Sequence, residues 1–396
     1  MPSAPHHDLK LGTTLDETAR QDFVATLRGF VLNDIAADLG GVYERDVKPR
    51  ATRDAGQEPA TPSEVHKALR PNLTFKMYSS MRVNTQEMVW DSVREAVKRE
   101  APVWRPRLKE AADKGLGSLQ LNPDFKVPRS VSAIDVHLLP GNYDSEHGPE
   151  DASQGVWFDH GSAVFYMGLL GEDQGDIGRS VSTFIKTKYP DFSPAKILDL
   201  GCTIGQNTLP WAQTYPDAEV HAIDVGAPVL RYAHARANSL GVGVHWHQMD
   251  ASSLDFEDDS FDVVWSSMFW HEVPLKDIRK AFKEAYRVLK PGGLMLHMEL
   301  PPNRTLSAYD GFYLDWDSWY NMEPFYKTFR DQDPKALCVE AGYPADSFAQ
   351  YLIPSVNWFG VEATKQAVEE QGKFDENAGR FANGISWYAF GAWKPQ

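Results

Sequence analysis

Three residues in the stretch ILDLGCTIGQNT, from Ile197 to Thr208, are of types that could hold a nucleoside. Asp199 ends an apolar, β-prone run, and Gly201 and Gly205 follow it before a polar helix start. Glycines in such a loop let a ligand approach the backbone closely. Because a lone glycine pair also occurs in ordinary turns, the stretch by itself predicts either a nucleoside-binding loop or a tight strand-to-helix turn.

Further polar residues follow apolar runs later in the chain. Asp224 in HAIDVG can accept hydrogen bonds from both hydroxyls of a ribose, and its separation from the glycine loop suits that role. Asp250 in QMDASSL can accept from an adenine amino group, while Ala251 offers a backbone N–H. Ser266 ends the next apolar run. The alternatives are that the glycines serve only the turn and that Asp250 caps the next helix.

Seven short apolar segments predict the strands that position these residues, and most of them alternate with amphipathic helical segments. The predicted strands are Lys196–Leu200, Val220–Val225, Val244–Met249, Phe261–Ser266, Leu294–Leu300, Phe348–Ile353 and Ser386–Trp393. This alternation predicts an α/β fold with a doubly wound, mostly parallel, seven-stranded sheet. The last two strands have no obvious crossover helix between them, which predicts an antiparallel edge. Ligands of such sheets bind at the carboxyl ends of the strands.

The first part of the chain has a helical pattern. Apolar residues recur at helical intervals over residues 14–39 and again over 88–112, and the proline-bearing stretch VKPRATRDAGQEPATPSE between them predicts an exposed loop. The proline- and glycine-spotted segment LLPGNYDSEHGPEDASQG suggests a boundary. We therefore predict a mainly helical domain over residues 1–155, which caps the site or forms a dimer interface, and a sheet-forming domain over 156–396.

The net charge and the cysteine content limit the partners and cofactors. A formal net charge of −15 is not expected of a nucleic-acid-binding chain, since phosphates are held mainly by lysine and arginine. The two cysteines, Cys202 and Cys338, cannot build a disulfide scaffold, a four-thiolate zinc site or an iron–sulfur cluster, and no metal site is predicted. The chain shows no apolar signal region and no run of about 18 apolar residues, so we expect a cytoplasmic protein without a membrane partner.

Five elements of the second part resemble those of class I S-adenosylmethionine-dependent methyltransferases, most of all the ubiquinone-biosynthesis-type and related small-molecule enzymes. They are DLGCTIG, the acid of AIDVG, the acid of QMDAS, DDSFDVVWSS, and RVLKPGG before an apolar strand. The resemblance covers roughly residues 160–300 and implies a Rossmann-like fold with S-adenosyl-L-methionine as the cofactor. The cofactor-binding residues that it implies are Asp199, Gly201, Gly205, Asn207, Asp224, Asp250, Ala251, Ser266 and, as an aromatic over the methionine end, Tyr166.

One position of the glycine loop departs from this family. Thr203 stands where a middle glycine is usual. In NAD-binding folds that glycine lets the pyrophosphate approach the backbone, whereas S-adenosylmethionine has no phosphate. A threonine is therefore more tolerable in a methyltransferase than in a dehydrogenase, and it argues against NAD.

His271 in SSMFWHEVP is the candidate catalytic residue. It falls just beyond the fourth predicted strand, where similar plant-type O-methyltransferases carry a catalytic histidine in a motif resembling His-Asp-Trp. Here Glu272 and Val273 follow, so the match is partial. A general base is needed only if the acceptor is protonated, because methyl transfer otherwise depends on positioning. His271 is thus either a base or a packing residue.

An aromatic stripe lies in the segment YDGFYLDWDSWYNMEPFYKTF, within an insertion near residues 302–345. Its spacing at i, i+3, i+4, i+7 and i+11 places Tyr309, Phe312, Tyr313, Trp316 and Tyr320 on one face of a helix. One interpretation is a lid helix that buries this face. The other is a pocket for a cationic or aromatic acceptor, with Tyr309, Tyr313 and Trp316 as substrate-binding residues.

The sequence as a whole predicts transfer of a methyl group from S-adenosylmethionine to a small-molecule acceptor. The nucleophilic atom of the acceptor, whether oxygen, nitrogen, sulfur or carbon, stays undetermined. The alternatives are a protein that binds S-adenosylmethionine without transfer and a protein methyltransferase. The oligomeric state stays undetermined, and a homodimer formed through the N-terminal helices is one alternative.

Overall fold

The computed structural model describes residues 7–369 and 385–396, and this part of the chain contains sixteen α-helices. Several begin at residues that favour a helix start, such as Thr14 and Thr61, which cap α1 and α4 in capping boxes. The helices are α1 Leu15–Phe30, α2 Ala36–Val42, α3 Lys48–Ala55, α4 Pro62–Leu69, α5 Leu73–Arg99, α6 Ala101–Ala112, α7 Arg129–Ser132, α8 Ser153–Phe165, α9 Asp176–Lys188, α10 Leu209–Thr214, α11 Ala227–Ser239, α12 Leu275–Val288, α13 Ala308–Tyr320, α14 Tyr326–Arg330, α15 Pro334–Ala341 and α16 Val356–Glu369.

A single sheet runs through the molecule. Its strands are β1 Gly117–Gln120, β2 Lys196–Leu200, β3 Glu219–Asp224, β4 Val244–Gln248, β5 Phe261–Ser267, β6 Leu289–Glu299, β7 Phe348–Pro354 and β8 Ser386–Trp393. The order across the sheet is β1-β4-β3-β2-β5-β6-β8-β7. Every pair is parallel except β6 with β8 and β7 with β8. The predicted doubly wound, mostly parallel sheet is therefore confirmed.

The sheet differs from the prediction in two respects. It has eight strands rather than seven, because Gly117–Gln120 of the N-terminal part pairs in parallel with β4. That four-residue strand is too short to give a periodic signal, and its burial does not alternate. The antiparallel strand, β8, also lies between β6 and β7 rather than at the edge itself.

The N-terminal helices pack on the sheet-forming part. The predicted exposed loop over residues 47–64 is wrong, because α3 and the start of α4 lie there. Pro49 and Pro62 stand in the first turns of these two helices, where a missing N–H costs little, and Gly56 ends α3 with φ 75°. The division of the chain at residue 155 stays a prediction; that position falls inside α8, which packs against both α5 and α11.

Both faces of the sheet are covered by helices. Alternate strand residues point to opposite faces, so Ile197 and Val263 pack with α9 and α11, while Leu198 and Val264 pack with α12. The strand order reverses at β2, which pairs with β3 on one side and β5 on the other. A crevice at the carboxyl ends of the strands is expected there. Among residues 7–369 and 385–396, no helix has the length and apolar character needed to cross a bilayer.

Candidate functional site

A cleft opens at the carboxyl ends of β2 to β5, where the strand order reverses. Its empty volume, including the mouth, is about 910 Å³. The segment between β1 and α8 forms one wall with Pro128, Ser130, Val131, Val136, Asn142 and Tyr143. The strand ends and the turns after them form the other wall, which includes Gly201, Thr203, Asp224, Asp250, Ala251, Ser267, Met268, Phe269 and Glu272.

The glycine loop after β2 is built from left-handed residues. Gly201, Thr203 and Gly205 have φ of 71°, 48° and 75°. A Cβ on Gly201 would lie 2.3 Å from the Phe269 ring, and a Cβ on Gly205 would lie 2.3 Å from the Trp246 ring. Both glycines are therefore required by packing, although only Gly201 lines the cleft. Thr203 adopts the conformation that a middle glycine would supply at lower strain.

Asp224 ends β3 and presents its carboxylate to the cleft. Oδ2 accepts a hydrogen bond from the Thr203 N–H at 2.9 Å, and Oδ1 accepts one from the Gly226 N–H at 2.9 Å. Burial raises the pKa of Asp224 to about 6, although these backbone donors favour the ionised form. Each oxygen keeps a further lone pair, so the carboxylate can still accept from two ligand hydroxyls.

Asp250 and Ala251 follow β4 and line the cleft beside Asp224. Asp250 Oδ1 accepts a hydrogen bond from the Ser252 N–H at 2.7 Å, which holds the turn after the strand. The carboxylate therefore serves the turn and belongs to a residue that lines the cleft, whereas the alternative that it caps the next helix is wrong, because α12 begins only at Leu275. The sheet thus brings Gly201, Asp224, Asp250 and Ala251 together as the sequence predicts.

Asp199 and Asn207 lie beneath the glycine loop and do not line the cleft. Asp199 is 2% exposed, accepts a hydrogen bond from the Thr208 hydroxyl, and has its pKa raised to about 8 by burial. Asn207 Oδ1 accepts from the Gly178 N–H at 3.1 Å. Asp199 thus joins the end of β2 to Thr208, Asn207 joins its segment to α9, and direct contact of either side chain with a cofactor stays a prediction.

Ser266 and Tyr166 also lie off the cleft wall. Ser266 is buried, and its Oγ is 2.9 Å from Nδ1 of His297, while the next residue, Ser267, lines the cleft. Tyr166 packs edge-on against Phe165, with ring centroids 4.9 Å apart. Burial and then the carboxylates of two glutamates raise its pKa, so its hydroxyl stays protonated. Its predicted place over the cofactor is untested.

His271 is held by Glu299 at the end of β6. Its Nδ1 lies 2.8 Å from Glu299 Oε2, and the Trp270 N–H donates to Glu299 Oε1 at 2.6 Å. Burial lowers the pKa of His271, but the Glu299 carboxylate outweighs burial, so that the pKa is raised to about 9. A histidine that is protonated at neutral pH and lies off the cleft wall is a poor general base. This geometry favours the packing role.

The aromatic stripe of α13 faces the N-terminal helices rather than the cleft. Trp316 is 4% exposed and packs against Phe75 and Tyr78, with ring centroids 5.2 and 5.0 Å away. The Tyr313 and Tyr78 hydroxyl oxygens are 2.9 Å apart, and the Tyr309 ring stacks on a tyrosine of the N-terminal helices at 4.9 Å. The structure thus supports the buried-face interpretation, and it brings none of the three predicted substrate residues to the cleft.

The sequence did not single out two polar residues of the cleft wall, Tyr143 and Glu272. The Tyr143 hydroxyl donates to Glu272 Oε1 at 3.2 Å. Behind them, His137 lies between Glu272 and Glu323, with nitrogen-to-oxygen distances of 3.1 and 2.9 Å. Glu272 was signalled only as a departure from a family motif, and Tyr143 lies in a segment that resembled a domain boundary.

The part of the chain that supplies the strand ends of the cleft matches a known family. Residues 197–293 match the family model described as a methyltransferase domain. A demethylmenaquinone methyltransferase from Thermus thermophilus is 36% identical over 28% of this chain and 49% of its own length. A malonyl-[acyl-carrier protein] O-methyltransferase from Pseudescherichia vulneris is 30% identical over 31% of this chain and 45% of its own. The chain thus spans about half the length of these curated relatives.

Among solved structures, the phosphoethanolamine N-methyltransferase 2 of Haemonchus contortus in complex with S-adenosyl-L-methionine aligns with this chain. The alignment covers 59% of this chain and 60% of that one, with 20% identity and a TM-score of 0.37. The matched family region contains the glycine loop, Asp224, Asp250 and His271. By that match, residues 197–293 of the chain form a methyltransferase domain.

Proposed function

We propose that this protein binds S-adenosylmethionine in the cleft and transfers its methyl group to a small-molecule acceptor. The observation that carries the proposal is Asp224, whose carboxylate is oriented at the cleft wall by two backbone N–H donors. A group that is held in place before the ligand arrives costs less to order on binding. The formal net charge of −15 supports a neutral or cationic acceptor over a phosphate-rich one.

The transfer is an in-line displacement. A lone pair of the acceptor forms a bond to the methyl carbon while the carbon–sulfur bond breaks, and its electron pair stays on sulfur to give S-adenosylhomocysteine. The protein has mainly to align the two reactants and exclude water. The wall between β1 and α8 covers the cleft for this purpose, with Tyr143 as one of its polar residues.

Calorimetry with S-adenosylhomocysteine tests the cofactor site. Asp224→Asn should weaken binding by about 1–3 kcal/mol, because a ribose hydroxyl then faces an amide in place of a carboxylate. Asp217→Asn is the matched control, since Asp217 is exposed before β3, at the opposite end of that strand. Equal affinities for both variants and the unchanged protein would remove Asp224 from the site. NAD should not compete.

A second experiment separates methyl transfer from its alternatives. The protein is incubated with methyl-labelled S-adenosylmethionine and a cell extract, and label is then measured in the small-molecule and protein fractions. Label in the small-molecule fraction is the expected result. Label confined to protein would indicate a protein methyltransferase, and binding without label in either fraction would indicate a protein that does not transfer.

A further inference from the structure

His137, Glu272 and Glu323 bring three ligand atoms together behind the cleft wall. One nitrogen of His137 and one oxygen of each glutamate all lie within 4.8 Å of one another. The three side chains are 14%, 15% and 5% exposed. Because Glu272 also lines the cleft, this group, which we call the His137 cluster, is adjacent to the proposed transfer site.

The His137 cluster places two carboxylates in a largely buried position with one imidazole between them. The Tyr143 hydroxyl and the Asn321 amide donate hydrogen bonds to the glutamates but carry no charge. Burying an uncompensated charge is costly. A divalent cation bound by two carboxylates and a neutral imidazole would make the net charge of the site zero.

A fourth ligand is available at Asn321. Its Nδ2 lies 2.8 Å from His137 Nδ1 and 2.6 Å from Glu323 Oε1. The residue is 5% exposed, so water does not reach its Oδ1 freely, and this oxygen has no hydrogen-bond partner among the described residues. A half-turn of the same amide group presents that oxygen to the cluster. Because Oδ1 has no hydrogen-bond partner in its present position, the turn costs that oxygen no bond, and a cation in the cluster would give it one.

The position of His137 is fixed by its backbone. Its N–H donates to the Asn321 carbonyl at 2.8 Å, and its carbonyl accepts from Gln86 Nε2 at 2.8 Å and Trp90 Nε1 at 2.7 Å. The residue has φ 58°, a conformation that few non-glycine residues adopt. The backbone contacts therefore place the imidazole between the two glutamates without using either ring nitrogen.

We propose that the His137 cluster binds a divalent transition-metal ion such as Mn²⁺, with Asn321 as a fourth ligand. One imidazole and several oxygens suit such an ion better than Mg²⁺ or Ca²⁺, which prefer oxygen alone. The wall residue Glu272 places the ion within reach of the cleft, where open positions would hold an oxygen-bearing acceptor such as an enol or a vicinal diol. Coordination lowers the pKa of that hydroxyl, whose proton leaves to solvent before the methyl group is transferred to oxygen.

Mn²⁺ titration of chelator-treated protein tests the ion site, with electron paramagnetic resonance to follow free Mn²⁺. We expect one ion per chain, at least tenfold weaker binding in Glu323→Gln, and weaker binding in His137→Asn, which tolerates the left-handed backbone. Glu219→Gln is the matched control: Glu219 also pairs with a histidine, His221 at 2.8 Å, but at the start of β3. Its affinity should be unchanged.

Two outcomes overturn the ion site: no stoichiometric Mn²⁺ binding by the unchanged protein, or equal affinity in Glu323→Gln. Circular dichroism of each variant shows whether a loss of Mn²⁺ binding follows from unfolding. If Glu323→Gln is unfolded, the Mn²⁺ affinity of His137→Asn tests the ion site in its place. Because the acceptor class rests on the proposed function, S-adenosylhomocysteine binding is measured on the same samples. Cofactor binding without Mn²⁺ binding refutes the ion site alone, whereas Mn²⁺ binding without cofactor binding refutes the proposed function alone.

Discussion

The backbone N–H of Thr203 donates to Oδ2 of Asp224 at 2.9 Å and so joins the loop after β2 to the end of β3. Thr203 makes this bond with φ 48°, in the left-handed region, which costs a non-glycine residue about 1–2 kcal/mol. The hydrogen bond orients the carboxylate at the cleft wall. The local strain is therefore retained at a point where it prepares a ligand site.

Thr203→Gly should raise stability slightly and leave cofactor affinity nearly unchanged. Glycine removes the left-handed strain of about 1–2 kcal/mol but adds conformational freedom to the unfolded chain, worth about 0.5–1 kcal/mol, so a small net gain in stability remains. The N–H that Asp224 accepts is kept. Urea unfolding and calorimetry with S-adenosylhomocysteine measure the two quantities.

Gly205→Ala is the contrasting variant in the same loop. An alanine there combines φ 75° with a Cβ 2.3 Å from the buried Trp246 ring, so we expect clear destabilisation. If Thr203→Gly weakened cofactor binding more than tenfold while stability held, the threonine side chain itself would be a ligand contact.

The residues that line the cofactor side of the cleft could be predicted because each follows a strand with a strong local signal. Asp224 and Asp250 come directly after apolar runs, and parallel strands end at one edge of the sheet. The signal says which residues reach that edge. It does not say which of them face the ligand, and Asp199 and Ser266 turn into the interior instead.

The wall between β1 and α8 and the His137 cluster could not be predicted, since both depend on contacts between distant segments. His137, Glu272 and Glu323 are far apart in the chain, and no spacing rule connects them. The strand β1 has no sequence signal of its own either, because Gly117 and its neighbours form a strand by pairing with β4. The aromatic stripe of α13 was recognisable as a buried face, but its partner helix α5 was not.

Trp316→Ala should reduce stability without reducing cofactor affinity. The ring is 4% exposed among Phe75, Tyr78 and Tyr320, and removing such a side chain typically costs about 3–5 kcal/mol. Tyr313→Phe is the milder companion, which loses one hydroxyl contact with Tyr78, worth about 1 kcal/mol. Urea unfolding measures both. A Tyr313→Phe variant of normal stability with a raised KM for the acceptor would restore the substrate-pocket interpretation.

Acid should destabilise the protein partly through His247. Burial, then the nearby His221 and His245, lower its pKa to about 4. The unfolded chain, with a histidine pKa of about 6.5, therefore binds more protons between pH 6.5 and 4, and stability falls as the pH falls through this window. His247→Gln should flatten that part of the curve of unfolding free energy against pH. An unchanged slope in the variant would show that His247 does not titrate there.

The His271–Glu299 pair should stabilise the fold at neutral pH and weaken as the solution becomes alkaline. Below pH 6.5 the histidine is protonated in both the folded and the unfolded chain, so the stabilisation is complete. It is lost as the pH rises from about 6.5 through the folded-state pKa of about 9. Glu299→Gln should remove most of this dependence, lowering the free energy of unfolding at pH 6 on the order of 1–3 kcal/mol.

Turnover separates this structural role of His271 from that of a base. A general base with a pKa of about 9 would be mostly protonated at pH 7, so the methyl-transfer rate would climb tenfold per pH unit toward pH 9. We expect no such climb, because His271 lies off the cleft wall and its Nδ1 is bound by Glu299. His271→Ala should lose stability and activity together. A stable variant, with turnover lowered a hundredfold and recovered at high pH, would establish the base instead.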